Sequence, residues 1–396
     1  MLDLPQHSKV GFSSRKRWKN CPGSIRLSVG VPKSSSPYAE EGTLAHAIQE
    51  HCLTNHVAPT SLAGWPFSYD DHGVAKSAMP DREMLGHIQS VIDAIALDLA
   101  QDKDAVMLVE ERFHLHQLHS DLFGTGDVVI WFPTLKKLQV RDLKYGAGVA
   151  VDVQDDAGEA NEQLEGYALG ALLAHPEWRP IEVELVIDQP RAFHSDGPTR
   201  RKTLPVGYFV DMAADLVDEV KATEQPDAPL NAGEWCRFCP AAAICPEVKA
   251  KAQEKAKQVF AKGEPYDAKE LAATLDWLPI LEGWIKNVRE FAYAEAERGH
   301  TPPTYKLVEK VARRKWREDE SVIVSRVIEN TGLTRDELYD PPSIKSPAVI
   351  EKLLPKEQRA ILEPLCAKES SGHTLVHESD KRPAISVDAK SAFINS

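Results

Sequence analysis

The sequence predicts an α/β fold: a small mixed sheet flanked by helices, with a mainly helical region after it. Two observations carry this. Three strand-like segments follow one another at residues 106–115, 126–132 and 137–145, and a helix and a fourth strand come next, at 159–174 and 181–187. From Glu247 onward the pattern turns helical and charged. The other elements fit around this core. Residues 1–35 read as a lead-in holding Cys21-Pro22-Gly23-Ser24. Ser36 and Pro37 read as the N-cap and first turn of a helix over residues 38–53. Residues 54–80, rich in Pro, Gly and Asp, read as a loop, and a helix over 81–100 follows. A further helix covers 208–223, residues 227–231 read as a linker, and a cysteine cluster occupies 236–245. Long helices are expected near 249–262 and 267–298, with shorter ones at 319–331 and 347–364. This gives one domain over residues 1–246 and a helical region over 247–396.

The chain has 396 residues, enough for one large domain with an appendage or for two domains. Hydrophobic residues make up 42% and charged residues 27%, the balance of an ordinary soluble protein. No apolar run is long enough to span a bilayer, so no membrane partner is expected. The first nineteen residues are polar and basic and carry no secretory signal, so a cytoplasmic location is expected. A net charge of −13 speaks against a non-specific nucleic-acid coat protein. It does not exclude an enzyme acting on DNA, which needs only a local basic track and an acidic metal site. Basic clusters occur at Arg15 to Lys19, at Arg200 to Lys202 and at Arg313 to Arg317. Each serves equally well as solvated surface or as DNA contact. The first and last interleave an aromatic ring with bases, which suits backbone charge plus base stacking. Arg15, Arg17, Trp18, Arg314, Lys315 and Trp316 are therefore candidate substrate contacts. His114 and His116 share a strand face but read as a solvated strand end. A phosphate-binding loop of the Gly-x4-Gly-Lys-Ser/Thr type is absent, so no intrinsic ATPase is expected.

The chemistry concentrates at two acids. Asp127 opens the second strand and Asp142 lies in the third, ahead of Leu143 and Lys144. A hairpin symmetric about Thr134 and Leu135 sets residue 132 against 137 and residue 127 against 142. Directly opposed side chains share one face with Cβ atoms about 5 Å apart, and Lys144 falls on that face too. Opposed carboxylates repel unless a cation lies between them. A hard divalent ion, Mg²⁺ or Mn²⁺, suits an all-oxygen pair of this kind, and phosphodiester hydrolysis is chemistry such a site performs. On the following helix, Gln163 and Tyr167 share a face, and Gly166 and Gly170 form a small face that allows close approach to a sheet. His46 on the first helix is a third candidate. Glu110 or Glu111 offers a further acid, and alternation along the strand does not say which.

Cys236, Cys239 and Cys245 are spaced C-x2-C-x5-C, with no histidine nearby to complete a local site. Clustered cysteines in a chain without secretory features point to metal rather than disulfides. Cys21 is the best fourth ligand, while Cys52 and Cys366 read as free buried thiols. Four thiolates suit either Zn²⁺ or a 4Fe–4S cluster. Either would close a loop of about two hundred residues and stabilise the fold by several kcal/mol in the chain-entropy model.

Taken together, His46, Asp127, Asp142-Leu143-Lys144 and Gln163-x3-Tyr167 resemble, in order, the motifs of the PD-(D/E)XK nuclease superfamily, and within it the RecB-like exonuclease branch. The resemblance spans about residues 20–246. It implies a restriction-endonuclease-like core. His46, Asp127, Asp142 and the Leu143 carbonyl would be metal ligands, Lys144 the catalytic lysine, and Gln163 and Tyr167 the positioning residues. A lone upstream cysteine with three downstream ending in Cys-Pro is similar to iron–sulfur members of that branch, so the resemblance favours a 4Fe–4S cluster over zinc. AddB-type and CRISPR-adaptation nucleases show this frame. Phage-encoded exonucleases that share the Cys-Pro-Gly-Ser and Glu-Glu-Gly-Thr-x-x-His stretches match more closely. The implied activity is a DNA exonuclease of phage recombination or replication, with an annealing or other recombination protein as a possible partner. The alternatives are a structure-specific endonuclease, a catalytically silent DNA-binding or assembly module, and a zinc-stapled regulator.

Overall fold

Apolar side chains cover both faces of the central strands, and this dictates layers of helix on either side of a sheet. The structure, a computed structural model, describes residues 8–31, 37–71, 73–147, 150–155, 157–260, 268–308 and 320–331. The chain divides into two units, Met1–Leu307 and Val308–Ser396.

In the first unit, α1 (Arg15–Asn20), α2 (Ser24–Leu27) and α3 (Pro37–Asn55) precede a hairpin of β1 (Phe67–Asp71) and β2 (Val74–Ala78). Helix α4 (Arg82–Leu99) starts at Asp81, whose side chain accepts the Met84 N–H at 2.7 Å. Then come β3 (Val106–His114), β4 (Phe123–Phe132), β5 (Lys137–Leu143) and α5 (Glu162–Ala174). Asn161 caps α5 by accepting from the N–H groups of Gln163 and Leu164. After β6 (Glu182–Asp188), β7 (Thr199–Pro205) and α6 (Tyr208–Glu224), the unit ends with α7 (Pro246–Phe260) and α8 (Ala268–Glu297). The described helix of the second unit is α9 (Glu320–Thr331). No helix among the described residues is long and apolar enough to cross a membrane.

The main sheet runs in the order β3-β4-β5-β6-β7. Only the β5–β6 pair is parallel, and α5 is its crossover. Phe12, Trp18, α5 and α6 pack on one face, against Val129, Leu138, Val140, Leu185 and Ile187. Helices α3 and α4 pack on the other, against Val128, Ile130, Phe132 and Leu143. The expected mixed sheet flanked by helices is therefore present. Two strand regions depart from expectation. Residues 67–78, expected as loop, form the β1–β2 hairpin, with Gly73 at φ 84° in its turn. The basic run at 200–202 lies in β7, an edge strand. Its arginines and lysine are engaged inward: Arg200 with the Val151 carbonyl and Gln189, Arg201 with Asp98 and Glu184, and Lys202 with Gln154 and the Gly158 carbonyl.

Alternation reverses part-way along β3 and β4. In β3, Met107 and Val109 face α3 and α4, but Phe113, four residues on, faces α5. In β4, Gly124 and Gly126 face Tyr167 of α5, whereas Val128 and Ile130 face the other helices. The switch falls at Glu110, which has φ 51°, a left-handed value uncommon in a residue with a side chain.

Two glycines of α5 admit aromatic neighbours at close range, Phe12 of the N-terminal lead-in and Phe113 of β3. A Cβ on Gly166 would lie 2.1 Å from a Phe12 ring carbon, and one on Gly170 would lie 2.6 Å from the Phe113 Cβ. Gly170→Val is expected to destabilise the protein by about 1–3 kcal/mol through overpacking. A urea denaturation midpoint unchanged from the original chain would show that the helix does not approach this closely.

Candidate functional site

The hairpin register is as the loop length predicts: Phe132 pairs with Lys137, and Val128 with Arg141. The ladder ends at that pair, one step short of Asp127 and Asp142. There main-chain pairing gives way to side-chain bonding, and Asp127 Oδ2 accepts the Leu143 N–H at 2.7 Å. Leu143 is itself buried under α3 and α4.

Asp142 points to the α5 side and is 1% exposed. Its Oδ1 accepts from Gln163 Nε2 at 2.8 Å. Lys144 Nζ lies 2.7 Å from Asp142 Oδ2 and donates to Gln163 Oε1 at 2.7 Å. The ammonium approaches Oδ2 as an ion pair outside hydrogen-bonding geometry, so this buried oxygen has no hydrogen-bond donor. Gln163 Nε2 also donates to Tyr167 Oη at 3.0 Å. Tyr167 packs edge-on against Phe12, with ring centroids 5.9 Å apart. Thus Gln163 and Tyr167 do share a face, and Tyr167 belongs to the core as well as to the site.

Across the sheet, His46 Nδ1 lies 3.3 Å from Asp127 Oδ2. His46, Glu110 and Asp127 can each offer a ligand atom, all within 4.8 Å of one another. Among the described residues they are the one such group of three. The left-handed turn at Glu110 selects it over Glu111. Burial pushes the Glu110 carboxyl up to about 8, with the nearby charges of Asp127, Glu50 and Asp142 adding to the effect. Burial also lifts Asp127 to about 6, against the opposing pull of His46. Burial beside Asp142 and Asp127 raises the Tyr167 phenol, which stays neutral. One imidazole and two close carboxylates, whose charged forms burial and mutual repulsion disfavour, form a donor set that fits a divalent cation.

The sequence reading missed Glu50. Its signal was the four-residue spacing from His46 on α3, which sets both on one helical face.

Two of the proposed N-terminal substrate contacts are interior. Arg15 is 1% exposed and pairs with Glu165 at 2.7 Å and Glu219 at 3.0 Å. Trp18 is fully buried, and its Nε1 donates to the Gly11 carbonyl at 3.1 Å. Both therefore brace α1 against α5 and α6 and are not free to meet DNA. Arg17 donates to Ser24 Oγ at 3.0 Å, beside the cysteine frame. Arg314, Lys315, Trp316 and Cys366 lie outside the described residues.

Cys21, Cys236, Cys239 and Cys245 are all buried free thiols, as is Cys52. Gly23 explains the Cys-Pro-Gly-Ser stretch. A Cβ there would lie 2.5 Å from the Ala228 carbonyl oxygen, so only glycine lets the Cys21 turn seat against the approach to Cys236. Its N–H donates to the Pro229 carbonyl at 2.9 Å. Backbone N–H groups point at the sulfurs: Asn231 at Cys21 (3.3 Å), Gly233 at Cys236 (3.4 Å), and Ala241 at Cys239. Burial pushes the Cys236 thiol up to about 11, with the other three cysteines adding to the rise. Four converging, buried thiols with N–H donors on three sulfurs fit a thiolate-bound metal group.

A family model described as "Protein of unknown function (DUF2800)" matches residues 7–383. The chain belongs to the DUF2800 family. That match takes in both the acid site and the cysteine frame of this DUF2800 protein.

Because Glu110 and Asp127 are raised, the folded DUF2800 chain holds more protons than the unfolded chain between about pH 4 and pH 8. Without metal, their contribution to stability therefore falls as pH rises through that window. Thermal melts at pH 5.5 and pH 8 check this. Mn²⁺ is expected to raise the melting temperature more at pH 8, and Glu110→Gln to flatten the metal-free pH dependence. An equal metal effect at both pH values would contradict the grouping.

Proposed function

We propose that this DUF2800 protein is a metal-dependent deoxyribonuclease with a PD-(D/E)XK-like site, acting as an exonuclease at DNA ends. The observation that carries the reading is the placement of Lys144, its ammonium between Asp142 and Gln163 at 2.7 Å from each, beside the His46–Glu110–Asp127 group. An aspartate–lysine pair alone is common. A lysine held by a half-buried glutamine and a buried aspartate, next to a group able to hold a cation, is not.

His46, Glu110 and Asp127 would hold the ion, with Asp142 adjoining, a set that adds Glu110 to the ligands implied by resemblance. When bound, Mg²⁺ or Mn²⁺ polarises the phosphate and lowers the pKa of water. The protein's own groups do the rest. Lys144 directs its ammonium toward the space beside the acids, where it stabilises charge developing on the phosphate. Gln163 holds that ammonium from one side and Asp142 from the other. Tyr167, neutral and buried, fixes the Gln163 amide. Lys144→Ala and Asp142→Asn are expected to lower Mn²⁺-dependent degradation of end-labelled linear DNA at least a hundred-fold, with unchanged circular dichroism. Full activity in both folded variants would sink the nuclease reading, and cutting of covalently closed circles would move it to an endonuclease.

The cysteine frame is proposed to hold a 4Fe–4S cluster with a structural role. The support is the C-x2-C-x5-C spacing joined by Cys21, four buried thiols whose thiolate forms suit such a cluster as well as tetrahedral zinc. Anaerobically purified protein is expected to be brown, with absorbance near 400 nm that Cys21→Ser abolishes. Colourless protein containing stoichiometric zinc would replace the cluster with a zinc staple.

A further inference from the structure

Strands β5 and β6 run parallel, so the chain leaves both at the same edge of the sheet. The Lys144 N–H donates to the Asp188 carbonyl at 2.8 Å, so the segment after β6 starts beside the proposed catalytic lysine. Residues 189–198 form a closed loop, tied at its base by the Gln189 N–H to the Pro198 carbonyl at 2.7 Å. The Gln189 side chain accepts from the Val151 N–H at 2.9 Å and donates to the Gly146 carbonyl at 2.9 Å. Further along, His194 Nε2 pairs with Asp152 at 2.7 Å, and its Nδ1 accepts the Asp196 N–H at 3.0 Å. The loop is therefore braced at both ends.

Arg191 and Phe193 stand between these braces. The Arg191 guanidinium lies over the Tyr145 ring, 4.7 Å from its centroid, and its Nη1 lies 2.7 Å from Glu41 Oε2. Both partners lie on segments that carry the acid site: Tyr145 follows Lys144, and Glu41 lies on α3 five residues before His46. Glu83 adds to the negative surroundings of the guanidinium, and the side chain remains 24% exposed; the fork has five N–H donors, more than one carboxylate takes up. Phe193 is 84% exposed on this loop.

We propose that the 189–198 loop is a single-strand clamp, with Arg191 on a backbone phosphate next to the scissile one and Phe193 stacked on a nucleobase. The inference rests on the nuclease reading and narrows its substrate. A ring standing clear of the surface stacks only on a base already out of a duplex, so the strand engaged is single-stranded DNA or a frayed end. Stacking favours no particular base, which suits degradation irrespective of sequence. Glu41 and Tyr145 hold the guanidinium plane in place, so less freedom is lost when it meets a phosphate.

The test uses the full chain and single-stranded oligonucleotides with 2-aminopurine near one end, held uncut in a Lys144→Ala background. Stacking on Phe193 is expected to change the 2-aminopurine emission on binding. Phe193→Ala should weaken binding about ten-fold and remove that change, and Phe193→Trp should restore both. Arg191→Ala should weaken binding similarly, with Arg191→Lys recovering only part. With Lys144 intact, Phe193→Ala should raise KM for single-stranded DNA and leave kcat unaltered. If binding and emission are indifferent to Phe193 while the original chain degrades DNA, the clamp is wrong and the nuclease stands. If Phe193-dependent binding occurs but the original chain cuts nothing, the nuclease reading fails and the loop remains a strand-binding element. Absence of single-strand binding by the original chain overturns the clamp outright.

Discussion

One contact fixes the geometry of the acid site: the Asp127 carboxylate accepting the Leu143 N–H. It lies where the β4–β5 ladder ends, and it substitutes a side chain for the next main-chain bond. The carboxylate is thereby held beside β5, Asp142 keeps its place one residue before Leu143, and Lys144 follows one residue after. A charged acceptor on a buried N–H is stronger than a neutral one, so the contact fastens the strands while leaving the second carboxylate oxygen uncommitted to Leu143. The left-handed Glu110 on the neighbouring strand belongs to the same irregularity. The reversal falls where Glu110 and Asp127 meet His46 of α3.

The site also depends on how near α5 comes to the sheet. Gln163 reaches both Asp142 and Lys144 only because Gly166 and Gly170 let the helix settle onto Phe12 and Phe113. Packing and polar positioning are thus one arrangement. Tyr167 takes part in both, with its ring in the core and its hydroxyl on Gln163.

Much of the first unit was legible from the sequence because its elements obey strong periodicities. The hairpin register between residues 132 and 137 followed from loop length alone, and the shared face of Gln163 and Tyr167 from helical spacing. What escaped had physical reasons. Strand β7 carries Arg200-Arg201-Lys202, and a basic run at a sheet edge does not alternate in hydrophobicity. The choice between Glu110 and Glu111 hinged on one backbone dihedral that no residue type announces. Arg15 and Trp18 were drawn to the surface by their composition, but Glu165 and Glu219 neutralise the arginine inside the protein. The acids that partner it are more than a hundred residues away, beyond the reach of local pattern.

The buried Arg141 joins Asp98 of α4 and Asp188 of β6, and Asp98 in turn meets Arg201 of β7 at 2.9 Å. This chain of charges has a consequence for the life of the protein at high concentration. A sheet margin offers unpaired amides and carbonyls to any passing chain, and that invites stacking into fibres. Here Arg201 is drawn to the interior Asp98, Arg200 to the Val151 carbonyl and Lys202 to Gln154, and a second copy approaching along the strand would bring these cations against their like. The ionic suture that fastens the last strand thereby also discourages self-association.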